Sequence, residues 1–225
     1  MITPDAAYWS TVQQARAIKE GKFSSRELLE LLVERESLIN ENLNAVVTLD
    51  LDRARLAADA ADEALAAGRS YGPLHGIPVT IKDALETKGL RSTGGATELS
   101  DYVPNRDAPV VDAIKRAGAI VFGKTNLPRW SGDIQSYNEI FGTTVNPWNS
   151  ERVPGGSSGG AAAAVSAGLT SFEIGTDIGG SIRFPASFCG IYGHKPSFGI
   201  VPSTGYLDHR HGGMTEADVN VIGPL

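Results

Sequence analysis

The sequence has a single cysteine, Cys189, among its 225 residues. That excludes an internal disulfide and any zinc site built on several thiolates. Positive charge is also short: 20 Lys and Arg stand against 26 Asp and Glu, for a formal charge of −6. Nucleic-acid backbones and anionic membrane surfaces need a basic footprint, so neither is expected as the main partner. No apolar run approaches the roughly 18 residues that read as a membrane span. The start, Met1-Ile2-Thr3-Pro4-Asp5, lacks the basic segment and apolar run of a secretory signal. These absences predict an acidic cytoplasmic protein. With 41% hydrophobic residues, the chain can bury a sizeable core. Glycine is plentiful, 26 residues, and it is clustered.

The first third reads as helical. Ser10 can cap a helix running to Gly21. Ser24 and Glu27 have the spacing of a capping box, ahead of a stripe of Leu28, Leu29, Leu32 and Ile39. Residues 45–49 form a short apolar run of strand type, and Asp50 can cap an alanine-rich helix ending at Gly68. From Tyr71 the pattern changes. Strands are expected at 78–81, 119–122 and 170–175, with helices at 107–117 and 159–167. Residues 126–154 read as a long ordered loop. Alternating strands and helices argue for an α/β sheet, and no linker divides the chain. One domain over residues 1–225 is expected, with a helical segment at 1–70 and a core at 71–225. The apolar, uncapped end, residues 219–225, suggests a chain truncated within its fold.

Two motif matches do not fit their context. Gly118 to Thr125 matches the phosphate-loop pattern, but its four middle positions, Ala119-Ile120-Val121-Phe122, read as a strand rather than a loop with free N–H groups. Gly155-Gly156-Ser157-Ser158-Gly159 matches the nucleophile-elbow pattern, with Asp177 or Asp208 and then His194, His209 or His211 as followers. An elbow follows a buried strand, however, and this segment follows Glu151-Arg152-Val153-Pro154. His209 and His211 sit in a polar run and read as loop residues or a weak metal site.

Two glycine–serine clusters carry more weight: residues 155–160 and residues 175–185. Each could be a tight turn, since glycine tolerates positive φ and serine suits turns. Turns account well for one such cluster, less well for two that each precede a segment able to start a helix. Consecutive free N–H groups in such loops form a concave anion site. A serine hydroxyl at its centre is what acyl transfer needs. Lys82, ending the apolar strand Pro78-Val79-Thr80-Ile81, is the alternative base to the histidines. Burial lowers a lysine pKa and yields a neutral amine. Alone, it reads rather as a lysine that extends to solvent or pairs with Asp83; beside two glycine–serine loops the base is the better reading.

Five segments in order resemble the amidase signature family: residues 76–83, 123–126, 146–148, 154–160 and 175–183. The resemblance covers roughly residues 9 to 225. It implies a mixed sheet with helices on both faces and a Lys–Ser–Ser triad. By motif position Lys82 would be the base. Ser157, in a cis peptide, would bridge, and Ser181 would be the nucleophile that forms an acyl-enzyme. The backbone N–H groups of Ile178, Gly179, Gly180 and Ser181 would form the oxyanion hole. Ser158, Asp177 and Arg183 would support the loops, and Ser131 would line the acyl pocket. The resemblance implies no metal or organic cofactor and a small-molecule amide substrate; it leaves a homodimer open. Family members are considerably longer. The function expected is cleavage of a carboxamide C–N bond, with aryl amides, carbamates and esters open as substrates. The alternative within the family is the amidase subunit of a glutamine-dependent tRNA amidotransferase. Residues 127–138 depart from what that subunit usually carries and look more like a stand-alone amidase. Outside the enzymes, the alternative is a non-catalytic fragment that keeps the loops.

Overall fold

The structure is a computed structural model and describes residues 2–207 and 219–225. Helix α1 (Thr11–Lys19) and helix α2 (Ser25–Leu43) each begin with a capping box, Ser10 with Gln13 and Ser24 with Glu27. In both, the serine oxygen and the N3 side chain satisfy N–H groups that the first turn leaves free. Asn44, at φ +52, ends α2 and turns the chain into strand β1 (Val46–Leu49). Asp50 caps α3 (Leu51–Ala66) by accepting from the Arg53 N–H. Leu28, Leu29 and Leu32 are fully buried as their spacing predicts, but Ile39 is 36% exposed. Leu43, one turn further along α2, is buried again, in a cluster with Ala45 and Val46.

Strand β2 (Pro78–Lys82) is buried along its whole length, and Lys82 is its last residue. Helix α4 (Pro109–Arg116) leads into β3 (Ile120–Thr125). The expected helix start at Asp107 is not used. Asp107 instead accepts from the Lys88 N–H and from Lys115, and the helix opens on Pro109. The long loop after β3 carries a two-stranded ribbon of β4 (Tyr137–Asn138) and β5 (Gly142–Thr143). Then come α5 (Gly159–Ser166), β6 (Glu173–Asp177), α6 (Arg183–Cys189) and β7 (Val221–Pro224). Strand β6 begins three residues later than expected. The preceding Thr170 turns its hydroxyl onto the β2 backbone, accepting from the Thr80 N–H.

The five-stranded sheet has the order β1-β3-β2-β6-β7. β3, β2 and β6 run parallel at its centre, and β1 and β7 are antiparallel at its margins. The sheet is therefore mixed and packed by helices, an α/β architecture. One core cluster joins α1–α3 to Ile77, Val79, Ile120 and Phe122. A second gathers Ile81, Leu85, Val111, Ile174 and Ile222. Helix α5, made of Gly, Ala and Ser apart from Val165, lies close against the sheet. A Cβ added at Gly160 would come within 2.4 Å of the Asn126 backbone, so only glycine fits this approach. None of the described helices is long and apolar enough to cross a membrane.

Candidate active site

Three chain segments converge at the carboxyl ends of β2 and β6. In parallel sheets this is where loops open and ligands bind. Strand β2 delivers Lys82. The turn before α5 delivers Ser157 and Ser158, and the loop from β6 to α6 delivers Asp177 through Arg183.

Lys82 has no solvent exposure. Its Nζ lies 2.6 Å from Ser157 Oγ and 2.7 Å from Thr176 Oγ1, so two hydroxyls surround the amine. Burial pulls its pKa down to about 7, against the opposite pull of Glu173 and Asp177. A neutral amine at this position can take a proton from Ser157. The Gly156–Ser157 peptide is cis. A Cβ at Gly156 would meet the backbone of Asp133 and Ile134 at 2.6 Å, which demands glycine there. Ser136 fixes this turn. Its Oγ accepts from the Gly159 N–H at 2.9 Å and donates to the Gly155 carbonyl at 3.2 Å.

Ser158 joins the two glycine–serine loops. Its N–H donates to the Ser181 carbonyl at 3.1 Å. Its Oγ accepts from the Thr176 N–H and donates to the Thr176 carbonyl. Ser181 is half-buried. No hydrogen bond joins its hydroxyl to that of Ser157 among the described residues, so the Lys82–Ser157 contact is made and the next one is not.

Asp177 organises the second loop. Its carboxylate accepts from the N–H groups of Gly180, Ile182 and Arg183 and from the Arg183 guanidinium. Burial alone would raise its pKa, but these donors hold it at about 2. One consequence bears on the expected oxyanion hole. The Gly180 N–H is already committed to Asp177 at 2.8 Å. The N–H groups of Ile178, Gly179 and Ser181 make no hydrogen bond among the described residues and are the donors left for an anion.

The remaining sequence candidates fall elsewhere. Lys124, of the phosphate-loop pattern, is fully buried in β3. It donates to the Leu85 carbonyl and Ser92 Oγ and lies 3.4 Å from Asp83, so it cannot serve a phosphate. Asp83 is thus paired with Lys124, not with Lys82. His194 is exposed and its backbone N–H bonds the Pro224 carbonyl, away from Ser157. Asp208, His209 and His211 lie outside the described residues. The Ser131 Oγ is buried without a hydrogen-bond partner, and Trp130 and Ser131 adopt φ +53 and +55 in succession. A cavity of about 340 Å³ opens beside them, lined by Gly95, Pro128, Arg129, Gly132 and Tyr137. Cys189 is buried and its thiol is pushed up to about 12, which leaves it inert.

Sequence reasoning passes over Thr176, Ser136 and Glu173. Glu173 is the most informative. It is fully buried at the start of β6, and burial pushes its pKa up to about 8 despite a hydrogen bond from Thr125. An acid inside the strand expected at 170–175 is the available signal.

Comparison with known proteins agrees with this arrangement. A family described as Amidase matches residues 27–225. A glutamyl-tRNA(Gln) amidotransferase subunit from Prochlorococcus marinus is 47% identical over 190 residues, covering 84% of this chain and 39% of that protein. Among solved structures, the peptide amidase of Stenotrophomonas maltophilia matches with a TM-score of 0.90 and 31% identity, covering 99% of this chain and 46% of its own. A fatty acid amide hydrolase matches with a TM-score of 0.91 and 30% identity, over 99% and 40%. The chain spans about two fifths of the length of the curated relatives it matches. From the converging loops, the buried lysine and these likenesses together, the chain belongs to the amidase signature family.

Proposed function

We propose that the chain carries the acyl-transfer half of an amidohydrolase that cleaves a carboxamide C–N bond. The observation that carries the reading is the fully buried Lys82 amine 2.6 Å from Ser157 Oγ. Neutral Lys82 takes the Ser157 proton as Ser157 takes that of Ser181. Ser181 attacks the amide carbon, and the N–H groups of Ile178, Gly179 and Ser181 receive the oxyanion. The relay then returns the proton to the leaving nitrogen, and the C–N bond breaks. Water attacks the acyl-enzyme while the relay runs again. Ser158 keeps the two loops in register through the Ser181 carbonyl, and the Asp177–Arg183 pair shapes the second loop. Ser131 would face the acyl portion.

A second reading concerns the amide donor. The curated relatives at 42–47% identity are named as amidotransferase subunits, whereas the solved structures at 30–34% include a fatty acid amide hydrolase and an amidase. The same chemistry would then release ammonia from glutamine within a complex. The two readings differ in substrate and share every step at Ser181. Ammonia release measured on glutamine and on a panel of aliphatic and aryl amides separates them, with Ser181→Ala as the blank. Release from simple amides and not glutamine supports the stand-alone enzyme; the reverse supports the amidotransferase. Release that survives in Ser181→Ala would refute both.

A further inference from the structure

Lys82 becomes an ammonium each time it accepts the Ser157 proton, and it does so without water around it. A buried ammonium needs a counter-charge. The titratable groups near it are few. β2 contributes Asp83, β3 contributes Lys124, and β6 contributes Glu173 and Asp177. Helix α5 and strand β7 carry no titratable side chain.

Two of the acids are already engaged. Asp83 faces Lys124 at 3.4 Å and takes two hydrogen bonds from Thr93. Asp177 is filled by Arg183 and three backbone N–H groups. Glu173 is different. One carboxyl oxygen accepts from Thr125 Oγ1, and the other, Oε2, is buried with no hydrogen-bond partner. The register brings this group to Lys82. Glu173 pairs with Thr80, which shares a strand face with Lys82, and Thr125 pairs with Lys82 itself. The Glu173 carboxyl therefore reaches across β2 to β3 on the same face as the lysine. Thr80 Oγ1 beside it also lacks a partner.

We propose that Glu173 is a positioning residue whose buried carboxylate is the counter-charge that Lys82 uses when it takes up a proton. The inference rests on the reading of Lys82 as the base. The coupling operates above pH about 8, where both groups have given up their protons, so that Lys82 is a neutral amine and Glu173 is ionised. The O–H bond of Ser157 breaks, an N–H bond forms on Lys82, and a Lys82–Glu173 ion pair results. When the leaving nitrogen is protonated the sequence reverses and the pair loses that proton. The two groups titrate as a unit.

The test is a titration of Lys82 by NMR of ¹³Cε-labelled lysine, in the wild type and in Glu173→Gln. Gln keeps the Thr125 hydrogen bond and removes the charge. Without the anion the ammonium is less favoured, so the Lys82 pKa should fall by about one unit. The acid limb of Ser181 labelling by a fluorophosphonate should move to lower pH by the same amount. Glu173→Asp should restore part of the shift. Should Glu173→Gln fail to fold, Thr125→Val removes only the bond that favours the carboxylate and should move Lys82 the same way by less. An unchanged Lys82 titration in a folded Glu173→Gln, or in Thr125→Val where that variant replaces it, overturns the proposal. A shifted Lys82 beside an unlabelled wild-type Ser181 supports the coupling and overturns the catalytic reading. Normal labelling with an unshifted Lys82 does the opposite.

Discussion

Lys82 and Lys124 stand on neighbouring parallel strands, and both are fully buried. Burial lowers the pKa of each. They differ in what receives their N–H groups. Lys124 meets a main-chain carbonyl, a serine hydroxyl and its own carboxylate, Asp83. Lys82 meets two hydroxyls, one of them on the cis-peptide serine. Carbonyl oxygens and carboxylates only accept, so they fix a lysine as a donor. A hydroxyl can also give a proton. Burial alone therefore does not mark a catalytic lysine; the chemistry of its partners does.

The largest effect expected on this contrast is at the far end of the relay. Ser181→Ala should abolish acyl-enzyme formation, seen as loss of the mass adduct with a fluorophosphonate, while the melting curve stays near that of the wild type. Next is Lys82→Ala. Losing the base should slow labelling by about 10²–10⁴-fold, with the fold retained. Lys124→Ala should do the opposite. It leaves the buried Asp83 unpaired and should cost about 3–5 kcal/mol of stability, read by chemical denaturation. Equal losses of stability in the two variants would erase the distinction. The smallest effect, and the sharpest, is expected from Gly160→Ala. The added Cβ presses α5 off the Asn126 backbone. Overpacking of this kind costs about 1–3 kcal/mol. It should slow labelling through displacement of Ser157 from Lys82, leaving the Lys124–Asp83 pair in place.

The comparison also indicates what the sequence can reveal. Lys82, Ser157, Ser181, Asp177 and Arg183 stand in motifs whose order is visible without a structure, and the structure brings their segments together. The capping boxes at Ser10 and Ser24 are equally legible, because a cap is a local property of four residues. The partition of the lysines is not. Asp83 follows Lys82 directly, so pairing between them is a natural alternative. Side chains adjacent on a strand point to opposite faces, and Asp83 turns to Lys124 instead. Gly180 reads as an anion donor because glycine loops expose N–H groups, but the Asp177 carboxylate takes that one first. Glu173 escapes notice because an acid in a strand ordinarily marks a solvated position; its burial depends on α5, the helix just before it, and on β7, which packs from a distant part of the chain.

The most direct test of the account is the rate of Ser181 modification by a fluorophosphonate as a function of pH, with the adduct located by peptide mapping. The account predicts one adduct, on Ser181. Its rate should rise as pH increases through about 7, because Lys82 acts only when deprotonated and its pKa is held near that value. An adduct on Ser157 or Ser158, or a Ser181 rate that does not change across that range, would contradict it.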